Sequence, residues 1–322
     1  MMEHIFITGA GGFLGRDLIR RLQSEGRYRL SASVRNAETH VPAGVVAHFT
    51  GAMDARSSWA AALTGVDVVV HCAARVHVMA DTCADPLQAF REVNVAATLH
   101  LARQAATAGV RRFVFISSIK VNGEESLAGR PYRPDDEPKP IDAYGLSKWE
   151  AEKGLLQLAE EVEMEIVIIR PVLIYGPGVK ANFQNMMRYL CKGIPLPLGA
   201  IHNKRSFVAL DNVTDLIVTC LDHPAASNQV FLVSDDEDLS TTELLRKMAR
   251  ALRAPARLVP VPAWLLTATA KLLGLSGFSQ RLCGTLQVDI SKTRSLLGWA
   301  PRVGLDQALD GTARHFLDQN KR

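Results

Sequence analysis

Cysteine is scarce in this chain. Five occur in 322 residues, and no two share the C-x-x-C spacing. Neither a disulfide framework nor a thiolate metal site finds support, so no metal is expected. Long apolar runs are equally rare. The most apolar late stretch, 258–275, is interrupted by Pro260, Pro262 and Lys271. That argues for a packed helix of a soluble domain rather than a membrane span, with peripheral membrane contact left open. Lys/Arg blocks and basic–aromatic interleaving are missing, so nucleic acid is not an expected partner. No signal-peptide pattern precedes the strand-like Ile5-Phe6-Ile7, and a cytoplasmic location is expected. Hydrophobic residues make up 48% and charged residues 22%, which disfavours disorder, and the net charge of +4 suits an anionic small ligand.

What is present is alternation. Apolar runs at 4–8, 29–34, 45–49, 67–71, 112–117 and 165–170 read as strands, with helical patterns at 12–25, 86–108 and 143–159 between them. Val66-Asp67-Val68-Val69-Val70 is almost continuously apolar, as strands covered on both faces are. The pattern predicts βαβ units, hence an α/β Rossmann-like, doubly wound parallel sheet over 1–171. After Pro171 glycine and proline become frequent, and helical patterns at 241–252, 262–273 and 291–297 follow. A smaller, mainly helical C-terminal substrate lobe is expected over 172–322, with segments crossing between the lobes.

The first predicted strand ends in Thr8-Gly9-Ala10-Gly11-Gly12-Phe13-Leu14-Gly15. Glycines at 9, 12 and 15 between strand and helix fit a dinucleotide-binding turn: Gly9 for tightness, Gly12 for close approach of backbone N–H groups to a pyrophosphate, Gly15 for helix packing. Phe13 and Leu14 belong to the same loop. The second strand ends in Ser33-Val34-Arg35-Asn36, without the acid that holds the ribose hydroxyls of NAD. Arg35 can instead pair with a 2′-phosphate, so NADP(H) is favoured and NAD(H) is the alternative. Arg75, after Ala73-Ala74, is a second candidate for that phosphate.

Tyr144 and Lys148 stand four apart at the start of a predicted helix and therefore share a face. A neighbouring ammonium and the positive nicotinamide ring are both expected to favour tyrosinate, so that Tyr144 moves a proton at a sugar oxygen while hydride moves at carbon. Ser118 is the chosen partner hydroxyl, with Ser117 in reserve. Asn94 either links the fourth strand to the site or is a satisfied core amide.

Together with His71-Cys72-Ala73-Ala74, Arg170-Pro171, Tyr175-Gly176-Pro177-Gly178 and Leu297-Gly298-Trp299-Ala300-Pro301, these residues give the chain its resemblance. It resembles an extended short-chain dehydrogenase/reductase of the nucleotide-sugar epimerase/dehydratase group. The resemblance implies that Ser118, Tyr144 and Lys148 are catalytic. It implies cofactor contacts from the glycine loop, Arg35, Ala73, Ala74, Arg75, Asn94, Lys148 and Pro171. It implies that Ser118, Lys120, Tyr144, Asn182, Pro197, Arg205 and Arg281 meet a UDP-sugar, and that dimers pair the helices at 86–108 and 143–159.

Departures from the group narrow the reaction. Dehydratases carry Asp-Glu where this chain has Ile119-Lys120. The adenine-contacting Gly-Asp reads Gly51-Ala52, with Asp54 nearby. The segments around Ser118 and Tyr144 resemble enzymes that form UDP-N-acetyl-quinovosamine. The expected activity is thus NADPH-dependent reduction of the 4-keto group of a UDP-4-keto-6-deoxy-N-acetylhexosamine, feeding O-antigen or other surface polysaccharide. The alternatives are an NAD-dependent UDP-hexose or UDP-N-acetylhexosamine 4-epimerase and a non-catalytic NADP-binding sensor.

Overall fold

A computed structural model describes residues 2–36, 39, 41–76, 85–127, 129–272, 274 and 276–320. The early apolar runs become β1 (Glu3–Thr8), β2 (Tyr28–Val34), β3 (Val45–Phe49), β4 (Val68–His71), β5 (Arg112–Ile116) and β6 (Glu165–Pro171). Between them lie α1 (Phe13–Glu25), the short α2 (Ala60–Leu63), α3 (Pro86–Arg91), α4 (Ala97–Thr107) and α5 (Ala143–Glu161). The one helix expected at 86–108 is divided, because Glu92–Ala96 forms a π-helical turn between α3 and α4. Such turns re-aim a side chain, here that of Asn94.

The second half adds β7 (Leu173–Tyr175), α6 (Ala181–Cys191), β8 (Arg205–Ala209), α7 (Leu210–Asp222), β9 (Gln229–Val233) and β10 (Asp238–Leu239). It ends with α8 (Thr241–Ala251), α9 (Ala263–Leu272), α10 (Ser276–Cys283), α11 (Ser291–Leu297) and α12 (Leu305–Gln319). Leu273 and Leu275, at the ends of the stretches expected at 262–273 and 258–275, lie outside the described residues. Among those described, no helix is long and apolar enough to cross a membrane.

Seven strands pair in the order β3-β2-β1-β4-β5-β6-β9, all parallel. Alternation along β1 explains its two covers. Ile5 and Ile7 join one core with Leu18 and Leu22 of α1 and Leu216 and Ile217 of α7. Phe6 joins the other with Leu101 of α4 and Leu155 of α5. β9 brings a distant part of the chain back to this sheet, through the run Val230-Phe231-Leu232-Val233. A second sheet, β10-β8-β7, and a third core around Tyr175, Phe183, Met248 and Phe316 build the other lobe.

Asp215 of α7 ties these parts together. It accepts from Arg21 of α1 at 3.2 Å and from the indole N–H of buried Trp299 at 2.9 Å. Gly298 makes the left-handed turn that ends α11 and delivers that indole.

Strand order reverses between β1 and β4, which opens a crevice at their carboxyl ends. The entry of α1 there is tight: a Cβ on Gly15 would stand 2.3 Å from the Gly9 carbonyl oxygen. Gly15→Ala is therefore expected to lower unfolding stability in urea by about 1–3 kcal/mol. An unchanged midpoint would contradict the close approach.

Candidate active site

The turn between β1 and α1 is a cradle that side chains would fill. Gly9 adopts φ +70°, and a Cβ on it would lie 2.7 Å from the Ala73 nitrogen. Gly12 donates its N–H to the Gly9 carbonyl at 2.8 Å and stands as the N-cap of α1. Phe13, Leu14 and Gly15 form the first helical turn, which carries no acid and receives no side-chain cap. An uncapped helix start behind a glycine cradle fits the pyrophosphate of a dinucleotide.

Register places the neighbouring strand ends beside this turn. Ile7 pairs with Ala32, which sets exposed Arg35 just past the end of β2 at the level of the glycines. Thr8 pairs with His71, which brings Ala73 and Ala74 alongside. Thr8 Oγ1 lies 2.7 Å from His71 Nδ1 and accepts the Ala73 N–H at 3.2 Å, while His71 Nε2 lies 2.9 Å from Thr98 Oγ1. Burial, assisted by the Lys148 charge, lowers His71 to about 3. The ring is therefore neutral and pins β1 and β4 to α4.

Asn94 works from behind the site. Its amide oxygen accepts the Arg75 N–H at 2.8 Å, and its nitrogen donates to the Arg75 carbonyl and to Ser147 Oγ, both at 3.0 Å. Both atoms of the amide are thus engaged with the 73–75 segment and α5. The Arg75 guanidinium lies 5.6 Å from the centre of the Phe90 ring, which is edge-on to Tyr144 at 6.0 Å. Asp54 closes its own turn by accepting the Arg56 N–H at 2.8 Å and the Ser57 hydroxyl at 3.1 Å.

Asp142 caps α5 by accepting the Gly145 N–H at 2.7 Å, which sets Tyr144 in the first turn and Lys148 one turn on. Ser118 lies near enough to the Tyr144 hydroxyl to favour its ionised form, and its own Oγ accepts the Lys120 N–H at 3.2 Å. Ser117 turns the opposite way, is buried, and donates to Glu152. Of the two serines, then, Ser118 is the one brought to Tyr144.

Burial pushes the Tyr144 hydroxyl well above the usual tyrosine range, the Asp142 charge adds to this, and Ser118 opposes both. The Lys148 ammonium is directed elsewhere. It donates to the Ile116 carbonyl at 2.8 Å and lies 4.4 Å above the Phe115 ring. Burial lowers it to about 8, against the opposing pull of Glu152.

Behind Lys148 lies an ion pair absent from the sequence-predicted site. Arg170 Nε and Nη2 donate to Glu152 at 3.0 and 2.6 Å, with both side chains almost fully buried. Arg170 Nη1 also donates to Asn122 Oδ1 at 3.0 Å and to the Pro134 carbonyl at 3.1 Å. Pro171 follows at the end of β6. The available signal was the i, i+4 spacing from Lys148 to Glu152 on one helix face.

The substrate candidates divide into two groups. Lys120 is already bound by carboxylates, Glu124 at 3.0 Å and Asp142 closer still, so its charge is offset before any phosphate arrives. Arg205 donates to the Gly284 carbonyl at 3.0 Å and senses the charges of Glu124, Glu125 and Arg281. These residues form one string of charges leading away from Tyr144. Asn182 and Pro197 are exposed on α6 and on the segment that bridges 258–262, and no contact with that string is seen among the described residues. Phe183, next to Asn182, is buried and stacks on Tyr175 at 5.3 Å.

Residues 5–234 match the model of the NAD dependent epimerase/dehydratase family. The chain belongs to this family. It is 50% identical over 323 residues to a UDP-glucose 4-epimerase of Vibrio cholerae, covering 100% of this chain and 98% of that protein. It is 26% identical over 331 residues to an N-acetyl-alpha-D-glucosaminyl-diphospho-ditrans,octacis-undecaprenol 4-epimerase of Escherichia coli O157:H7, covering 98% and 96%. Among solved structures, the UDP-glucuronic acid 4-epimerase from Bacillus cereus in complex with NAD superposes with a TM-score of 0.80 at 20% identity, covering 99% and 98%. This likeness shows the fold. The protein is thus an NAD(P)-dependent enzyme of the extended short-chain dehydrogenase/reductase type.

Two outcomes follow from the buried charges. Glu152→Ala leaves Arg170 uncompensated in the core and is expected to cost about 3–5 kcal/mol in urea unfolding. A loss below 1 kcal/mol, roughly that of an exposed pair, would contradict the burial. For Lys148, the unfolded chain keeps the proton between pH 8 and 10.5 while the folded chain loses it. Stability from this group therefore rises across that window. The stability difference between wild type and Lys148→Met should shift in favour of wild type by about 3 kcal/mol between these limits. A flat difference would contradict the lowered ammonium.

Proposed function

We propose that the enzyme is a 4-epimerase of a UDP-hexose or UDP-N-acetylhexosamine. The observation that carries this reading is its full-length 50% identity to a UDP-glucose 4-epimerase. The net 4-keto reduction expected from the sequence becomes the second reading.

In this reading the dinucleotide lies on the glycine cradle, and its nicotinamide supplies the acceptor and later the donor of the hydride at sugar C4. The chain's residues handle the proton. As tyrosinate, a form that the positive nicotinamide would favour, Tyr144 takes the proton of the 4-hydroxyl as the C4–H bond breaks, which leaves a 4-ketone. It returns the proton to that oxygen when C–H forms again on the opposite face. Ser118 hydrogen-bonds the same sugar oxygen. It helps bring a high tyrosine toward ionisation. Lys148 fixes the cofactor ribose from the end of β5. Arg205 and Arg281 bind the diphosphate. Oxidation and reduction cancel, so no dinucleotide is consumed.

In domain terms, residues 1–171 together with α7 and β9 hold the cofactor, and the remainder of 172–322 holds the sugar nucleotide. One observation favours the reductase: Arg35 stands where an NAD site carries an acid, and residues 33–36 include none. In that case the cofactor is NADP(H), it exchanges after each turnover, and UDP-N-acetyl-quinovosamine is the product.

The test is incubation of the purified enzyme with UDP-glucose, and in parallel with UDP-N-acetylglucosamine, without added reductant. C4 interconversion of either is expected, and Tyr144→Phe should lower kcat by at least about 100-fold. Absence of interconversion, with NADPH oxidised on addition of the 4-keto sugar, would replace the epimerase by the reductase.

A further inference from the structure

α9 is an apolar helix that the fold leaves outside. It carries a single charge, Lys271, and none of its residues is buried. Its two faces differ. Ala263 and Leu266 touch the second-lobe core from its flank. Trp264, Ala268 and Leu272, spaced four apart, point the other way with Leu265 beside them. Trp264 is 70% exposed and Leu272 87%. The segments before the helix extend this surface. Residues 196–200 bridge to 258–262, and Ile194, just before the first segment, and Val259, on the second, are exposed as well. Soluble surfaces seldom leave large apolar side chains clustered in this way without a partner.

Charge identifies the partner. Between Glu243 and Asp289 the sequence has seven basic residues and no acid, while the whole chain nets only +4. Lys247 is neutralised by Glu237 and Asp306. Arg253, Arg257 and Lys271 are exposed around α9. A second copy on this face would set these cations against themselves across a twofold axis. An anionic partner would not.

We propose that α9 and the paired segments preceding it dock on an anionic lipid surface. Trp264, Leu265 and Leu272 enter the headgroup boundary, and Arg257 and Lys271 pair with lipid phosphates. A tryptophan among aliphatic side chains with cations at the margin suits that boundary. The helix is too short to span the bilayer, so it lies in the interface. The inference is independent of which sugar reaction the enzyme performs.

The experiment is co-sedimentation of the full chain with vesicles of phosphatidylglycerol mixed with phosphatidylcholine, and with phosphatidylcholine alone. Preferential binding to the anionic vesicles is expected, weakened by salt and accompanied by a blue shift of tryptophan emission that Trp264→Phe removes. Each cation at the surface raises partitioning about fivefold, so Arg257→Gln/Lys271→Gln should lower it about 25-fold. Leu265→Ser/Leu272→Ser should lower it at least about tenfold with an unchanged circular dichroism spectrum. Equal or absent binding to the two vesicle types would overturn the proposal. So would a dimer in size-exclusion chromatography that Leu265→Ser/Leu272→Ser splits, which would give the face to a second copy.

Discussion

The site depends on one buried ion pair. Glu152 on α5 and Arg170 on β6 meet through paired hydrogen bonds in a space that excludes water. Desolvating two charges is repaid only when geometry is good and every remaining polar atom finds a partner. Here Ser117 donates to the carboxylate, and Asn122 and the Pro134 carbonyl accept from the guanidinium. The consequence is positional. Ser117 precedes Ser118, and Lys148 lies one turn before Glu152. The same pair therefore sets the height of α5 over β5 and, with it, the meeting of Tyr144 and Ser118.

Around this pair the electrostatics are divided between the two ends of the crevice. On the cofactor side the glycine cradle and the uncapped start of α1 present backbone dipoles to an anion, and the buried groups nearby are either neutral, as His71 is, or lowered, as Lys148 is. At the other end Lys120 is offset by carboxylates, and Arg205 stands among the charges of Glu124, Glu125 and Arg281. Burial and the Asp142 charge raise Tyr144, so the tyrosinate that accepts a hydroxyl proton needs further positive charge beside it, which an oxidised nicotinamide would supply.

The doubly wound half was legible because buried parallel strands write continuous apolar runs and because three glycines must stand where backbone meets backbone. The pairing of Tyr144 with Lys148 was legible from helix periodicity. β9 was not foreseen: its five residues form a short run far along the chain, and its place beside β6 is decided by tertiary packing. The π turn at Glu92–Ala96 is a local departure that leaves no periodic trace strong enough to divide a helix pattern. The setting of the Lys148 ammonium was not legible. Sequence spacing says that two side chains share a face, but it does not say that an ammonium prefers a strand-end carbonyl and an aromatic ring. The same limit applies to Lys120, whose neighbours Glu124 and Asp142 meet it only once the loop after β5 folds onto the start of α5.

In the proposed epimerisation, hydride leaves C4 of the sugar and returns to it within one turnover. The most direct test is to supply UDP-glucose deuterated at C4 together with an excess of unlabelled free dinucleotide, and to follow the label by mass spectrometry. The expected result is UDP-galactose carrying the deuterium at C4 without dilution, and no label in the free dinucleotide. Label appearing in the free dinucleotide, with the sugar's deuterium lost, would mean that the cofactor exchanges at each turnover and would contradict the claim.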